Sequence, residues 1–199
     1  MMLIEETALP DATLPVEEFR AHLRLGSGFG DETLQDAVLF SFLRAAMSAI
    51  EARTGKILLE RGFLWSLTKW QGVDVQALPV SPVRALNRVT LIAKDGNGTE
   101  VDLATLRLES STQEARIIAL GSMLPTLPAS GSVDIRFTAG WGASWGDLPP
   151  DLAQAVLLLA SHYYEFRSET SLSSGCMPFG VSSLLERYRP MRIGFGVGQ

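Results

Sequence analysis

The sequence predicts an α+β fold, in which a helical core of two long and two short helices carries an inserted small antiparallel β unit. Apolar residues recur at helical spacing before residue 56 and after residue 148. Between these segments the apolar residues alternate with a period of two, and the same stretch contains a strong hairpin signal. With 199 residues, the chain can form a stable core without disulfides or metals.

Residues 1–56 are the predicted N-terminal helical part. Pro15, followed by Glu17 and Glu18, is typical of a helix start, because proline fits the first helical position and acids favour the positive end of the helix dipole. Asp31 is a suitable N-cap for a second, long helix that should end at Gly55. The polar residues of that helix form one narrow stripe: Ser41, Arg44, Ser48 and Glu51.

Residues 57–147 are the predicted β insertion, with four to six strands in residues 57–138. The hairpin signal is the run at residues 95–98 (DGNG), since Gly and Asn tolerate the positive φ of tight turns. Two other segments alternate between apolar and polar residues, as half-buried strands do. Their apolar positions are Phe63, Trp65 and Leu67, and Val133, Ile135 and Phe137.

Residues 148–190 are the predicted C-terminal part of the same helical core. Pro149 and Pro150 before Asp151 indicate the start of a long helix that runs to about Arg167, and a short helix is expected at residues 181–188. Both long helices are apolar around most of their circumference. Burial between subunits is therefore expected in addition to burial within the chain.

Charge and composition exclude several classes of protein. The chain has 22 acids against 17 bases, and no basic face typical of proteins that grip duplex DNA. A single cysteine, Cys176, precludes an intramolecular disulfide and fits a reducing, cytoplasmic setting. Neither a membrane-spanning stretch nor a basic signal peptide is recognisable.

No catalytic, cofactor-binding or metal-binding residues are predicted. The glycine run at residues 26–30 follows a helix, whereas a phosphate-binding fingerprint follows a strand. His22 and His162 are far apart and belong to no metal-ligand pattern. One hypothesis for function is an enzyme with an acidic cleft in the β unit, but the sequence offers no nucleophile or base to support it.

Two segments are candidates for contacts with other proteins. Trp141 and Trp145 lie on a glycine-rich loop, where they either cover the β unit or contact a neighbouring subunit. The C-terminal tail, residues 191–199 with the arginines before it, is either a frayed end or a docking arm that adds edgewise to another protein. The residues of the docking hypothesis are Arg187, Arg189, Arg192, Ile193, Phe195 and Val197.

The order of several short motifs resembles the head–tail connector (adaptor) family of tailed phages, in its longer form with a β insertion. Each motif alone is weak, but together they span nearly the whole chain. They are VEEFRAHLR (16–24), AIEARTG (49–55), PVSPV (79–83), FTAGWG (137–142), LPPDL (148–152), YYEFR (163–167), PFGV (178–181), LL (184–185) and YRP (188–190).

This resemblance implies a structural protein without catalytic residues, cofactor or metal. Members form a ring, dodecameric in relatives, beneath the portal protein of a DNA-filled capsid, and they hold the next neck or tail component. DNA passes through the ring without specific binding, and the C-terminal segment docks on the portal. Such proteins assemble in the bacterial cytoplasm and lie in the neck of a phage or of a gene transfer agent.

A second hypothesis from the sequence is another neck or tail-completion protein of the same particle. Such a protein would share a β-rich unit but would lack two long helices that are apolar on most sides.

Overall fold

A computed structural model describes residues 2–25, 32–167 and 177–189, which form four helices and two antiparallel sheets and so confirm the predicted α+β class. The helices are α1 (Val16–His22), α2 (Glu32–Thr54), α3 (Pro150–Glu165) and α4 (Phe179–Leu185). The strands are β1 (Met2–Glu5), β2 (Arg61–Leu67), β3 (Val75–Ala77), β4 (Val83–Ile92), β5 (Gly98–Glu100), β6 (Leu106–Glu109), β7 (Arg116–Ala119) and β8 (Ser132–Ala139).

Helices α2 and α3 pack against each other in the helical core, as the sequence predicts. Phe19 of α1 and Val181 of α4 complete the same cluster. Helix α2 ends at Thr54, before Gly55 with a φ of +67°, and Pro150 is the first residue of α3. The predicted N-cap Asp31, the glycine run at 26–30 and Cys176 lie outside the described residues. The side chains that α2 and α3 bury are Leu39, Leu43, Ala46, Met47, Ile50, Leu152, Ala155, Val156, Leu159 and Ala160.

The β unit has more strands than the predicted four to six. Seven strands, β2 to β8, lie between residues 61 and 139, in two sheets with the strand orders β1-β2-β8-β4-β5 and β3-β7-β6. One apolar cluster contains side chains from both sheets, among them Trp65, Ile117 and Phe137. The extra strands have only three or four residues, so their alternation is too short to recognise from the sequence.

Strand β1 is a further correction, because the sequence predicted only helices in residues 1–56. β1 pairs antiparallel with β2, with Met2 opposite Ser66 and Glu5 opposite Phe63. The β1 sequence, MLIE, has three successive apolar residues and all four residues are exposed, so neither its sequence nor its burial alternates as in a half-buried strand. Pairing with a segment about sixty positions away makes it a strand, and no local pattern reports that pairing.

A buried ion pair joins the helical core to the β unit. Oε2 of Glu51, on α2, accepts a hydrogen bond of 2.6 Å from Arg61 on β2, and Oε1 accepts one of 2.9 Å from the N–H of Leu58. The two charged side chains are only 12% and 10% exposed. Burial raises the pKa of Glu51, and the charge of Arg61 and the Leu58 N–H oppose that rise.

Candidate functional site

An open groove of about 610 Å³ lies where the helical core meets the β unit. Its walls come from the β6–β7 connection, the loop after β8, the start of α3 and the 3₁₀ turn Glu186–Tyr188 that follows α4. A surface built from four separate segments has a shape that depends on the whole fold. The lining residues are Thr112, Gln113, Trp141, Pro149, Pro150, Asp151, Arg187 and Tyr188.

Trp141 and Arg187, which the sequence predicts for different contacts, meet in this groove through Tyr188. The rings of Trp141 and Tyr188 are 6.2 Å apart and nearly perpendicular, at 86°. The guanidinium of Arg187 lies 5.2 Å from the centre of the Tyr188 ring, within cation–π range. Tyr188 carries no signal in the sequence that marks it as a site residue, and the structure makes it the centre of the cluster.

Asp151 at the start of α3 orients Tyr188 and Arg187. The Tyr188 hydroxyl donates a 2.7 Å hydrogen bond to Oδ1 of Asp151, and Nη1 of Arg187 lies 3.5 Å from Oδ2. Burial, together with the bond to Asp151, raises the pKa of Tyr188 to about 12, so the phenol keeps its proton at neutral pH. The Arg187 side chain is 75% exposed, which leaves donors of its guanidinium accessible to a partner's carboxylate.

A buried lysine supports the side of the groove that Gln113 forms. Nζ of Lys56 donates hydrogen bonds to Oγ of Ser81, at 2.9 Å, and to the carbonyl oxygen of Gln113, at 2.7 Å. Burial lowers the pKa of Lys56, and the charge of nearby Glu114 opposes that change. Gln113 in turn donates from Nε2 to the carbonyl of Arg187, at 3.3 Å. The β unit and the C-terminal turn therefore share one hydrogen-bonded wall.

Both tryptophans pack against the helical core, and neither is among the side chains packed against the apolar cluster of the β unit. Nε1 of Trp145 donates a 2.8 Å hydrogen bond to Glu18 on α1. The carbonyl of Trp141 accepts from Arg84, at 2.7 Å, whereas its buried indole N–H has no hydrogen-bond acceptor in the structure. Both side chains keep some exposure, and their contact with a neighbouring subunit stays a prediction.

Two of the predicted docking arginines, Arg187 and Arg189, belong to the folded body and not to a frayed end or a free docking arm. Arg187 is part of the 3₁₀ turn, and Arg189, directly after it, lies 3.3 Å from Glu186. The turn is held because Tyr188 is buried against the core. The other predicted docking residues lie outside the described residues: Arg192, Ile193, Phe195 and Val197.

Besides the groove, the molecule has a second candidate contact surface, which lies on helix α2 and which we call the α2 face. A solvent-facing helix surface normally carries charges, but this exposed face consists of uncharged residues, all of them small except one valine. The two charged residues of the predicted polar stripe have partners within the chain: Arg44 pairs with Asp11, and Glu51 with Arg61. The α2 face consists of Ala37, Val38, Ser41, Ala45, Ser48 and Ala52.

The described residues contain no group of three or more His, Cys, Asp or Glu side chains that could hold a metal ion. Within the same ranges, no helix has the length and apolar character needed to cross a membrane.

Comparison with solved structures relates the chain to proteins of phage-like particles. No protein-family model and no curated protein matches it. A chain in the neck of an empty gene transfer agent (GTA) particle, computed with C6 symmetry, is 52% identical with a TM-score of 0.90, over 98% of this chain and 99% of that one. A chain in the virion of a native GTA particle is 51% identical with a TM-score of 0.86, over the same shares.

A third similar chain comes from the neck of a native GTA particle, computed with C12 symmetry. It is 48% identical, with a TM-score of 0.85 over 98% of this chain and 99% of that one. Such identity over nearly the full length of both chains exceeds what a shared fold alone produces, and it confirms the predicted relation to the neck of phage-like particles. The chain belongs to the family of gene transfer agent neck proteins.

Proposed function

We propose that this protein is a structural head-to-tail connector that forms a ring in the neck of a phage-like particle. The ring lies beneath the portal protein, extends the DNA channel and holds the next neck or tail component. It assembles in the bacterial cytoplasm and catalyses no reaction. The observation that carries this proposal is the identity of about half of all positions with GTA neck chains whose structures have C6 and C12 symmetry.

The α2 face supports contact between copies in such a ring. In a cyclic ring each copy presents two different surfaces to its two neighbours. The α2 face is exposed in the single chain, and its small residues allow close approach of another backbone. The packed pair of long helices also favours the connector. The alternative, another neck or tail-completion protein, is expected to lack two such helices.

The groove and the C-terminal segment together are the proposed portal-docking surface. Arg187 offers exposed donors at the groove, and Trp141, which lines the groove, offers part of its aromatic surface. Ile193, Phe195 and Val197 alternate, as residues of an added strand do, and Arg192 adds a further charge. Several copies in a ring, each with a modest contact, would together give firm attachment.

Removal of residues 191–199, or the substitution Arg187→Ala, should abolish or weaken attachment of this protein to the portal protein, while the subunit stays folded. Arg187 is largely exposed, so its loss should change the free energy of unfolding by less than about 0.5 kcal/mol. Co-purification with the portal measures attachment, and circular dichroism measures the fold.

Arg116→Ala is the matched control, because Arg116 is also an exposed arginine in an ion pair, with Glu114, but lies outside the groove. Wild-type portal occupancy of both the truncated protein and Arg187→Ala would place the attachment site elsewhere on the folded body.

The protein should bind duplex DNA only weakly, with a dissociation constant of about 1 μM or higher at physiological salt. Nine arginines in the described residues already form ion pairs with acids, so little unpaired positive charge is offered to phosphates. Fluorescence anisotropy at two salt concentrations measures this binding. Tight binding that falls steeply with salt would contradict passive passage of DNA.

A further inference from the structure

The outer edge of β1 is an open sheet edge that the proposed function leaves without a role. In the described ranges β1 pairs with β2 alone, at one end of the five-stranded sheet. Its apolar residues Met2, Leu3 and Ile4 are 60%, 38% and 37% exposed. An apolar edge strand that nothing covers readily pairs with another extended chain.

The register shows which backbone groups this edge presents. The N–H of Glu6 donates a 2.8 Å hydrogen bond to the carbonyl of Gly62, so Glu6 faces β2. Residues in an antiparallel pair alternate between facing the partner strand and facing away from it. Met2 and Ile4 therefore bond to β2, whereas the N–H and C=O groups of Leu3 and Glu5 point to the open edge.

The opposite edge of the same sheet is protected. The last strand there is β5, which has only three residues and covers β4 only from Thr90 to Ile92, so the rest of β4 forms most of this edge. Strand β4 has register shifts between Val83 and Ala85 and between Leu86 and Arg88, which disturb a regular edge. Ion pairs from Arg84 and Arg88, to Glu60 and Glu100, add charge there. Charges and bulges are common devices against unwanted strand pairing. β1 has no bulge, proline or lysine, so only one of the two edges is suited to accept a strand.

We propose that the outer edge of β1 accepts an extended strand from a different neck protein. The choice of a different protein rests on the ring proposed above. Neighbours in a cyclic ring of more than two copies are not related by a twofold axis, so β1 cannot pair with β1 of the next copy. The other end of that copy's five-stranded sheet is protected, and the edge strands of its second sheet, β3 and β6, have only three and four residues. The incoming strand bonds to Leu3 and Glu5 and lacks proline at the bonded positions.

Hydrogen exchange resolved to single amides tests this directly in the wild-type protein. In the purified protein the amides of Leu3 and Glu5 should exchange fast, and those of Ile4 and Glu6, which bond to β2, should exchange slowly. In purified particles the exchange of Leu3 and Glu5 should slow at least about tenfold. Unchanged exchange of these two amides in the particle would overturn the proposal.

The substitution Leu3→Pro removes the outward N–H and leaves the bonds of Met2, Ile4 and Glu6 to β2 in place. Leu3→Ala is the matched control, because it shortens the side chain but keeps the N–H. We expect particles with Leu3→Pro to lose the neighbouring neck component at least about tenfold relative to Leu3→Ala, which corresponds to 1.4 kcal/mol. Equal retention of that component by both variants would refute strand addition.

Photo-cross-linking identifies the chain that supplies the strand. A benzophenone maleimide is attached to Met2→Cys in a Cys176→Ser background, and purified particles are irradiated. A cross-link to a different neck protein supports the proposal, whereas one to a second copy or to residues 190–199 of this chain overturns it. The native mass of the wild-type protein separately reports ring formation: wild-type rings without a cross-link to a different neck protein sink this inference alone, and absence of wild-type rings sinks the proposed function.

Discussion

Replacing Ala45 with glutamate should leave a folded subunit that no longer joins a ring. Ala45 lies in the middle of the α2 face and is exposed in the single chain, and glutamate is a good helix former, so the fold should tolerate it. In a subunit contact, however, the new carboxylate would be buried without a partner, which costs several kcal/mol. Because every contact around a closed ring carries the same substitution, the penalty repeats in each of them.

Native mass spectrometry of the purified protein, and the number of copies in purified particles, measure this effect. Gln35→Glu is the matched control: it adds the same charge at an exposed position of α2 outside the α2 face. Rings should persist in the control and be lost in Ala45→Glu. Rings of unchanged mass in both variants would show that the copies meet through another surface.

Replacing Arg61 with methionine should lower the free energy of unfolding by about 3–5 kcal/mol. The substitution leaves the buried carboxylate of Glu51 without its cation and breaks the link between α2 and β2. For a chain of this length, each kcal/mol lowers Tm by about 2–4 °C. Thermal or denaturant unfolding followed by circular dichroism measures the loss.

Arg88→Met is the control for that substitution. Arg88 pairs with Glu100 at 3.5 Å, and both side chains are more than half exposed, so we expect a loss of about 1 kcal/mol or less. A similar loss for both variants would mean that the Glu51–Arg61 pair has no special role in joining the two parts.

The deficit of Arg61→Met should also depend on pH. Without Arg61, burial raises the pKa of Glu51 further above its ordinary value of 4.5. An acid whose pKa is raised in the folded state binds its proton more tightly there than in the unfolded state. Its contribution to the free energy of unfolding is therefore complete below the unfolded pKa and is lost as the pH rises through the folded pKa. The difference from wild type should therefore be small near pH 4.5 and largest at neutral pH.

Local signals in the chain account for the parts of the fold that were predicted well. Gly55 ends α2 and Pro150 begins α3, because each residue restricts or permits backbone angles independently of distant contacts. The Asp95 to Gly98 turn joins β4 to β5 for the same reason. The apolar character of α2 and α3 likewise predicts that they pack together, since burial of apolar surface drives folding.

Pairing between distant segments was decided by the tertiary structure. β1 is a strand because it pairs with β2. Glu51 is buried in an ion pair with Arg61 and is not part of an exposed polar stripe. Trp141 and Arg187 share a groove only through Tyr188, whose position depends on Asp151. Helix ends and turns depend on a few neighbouring residues, whereas these contacts form only when packing brings together segments that are far apart in the chain, and no local pattern encodes that arrangement.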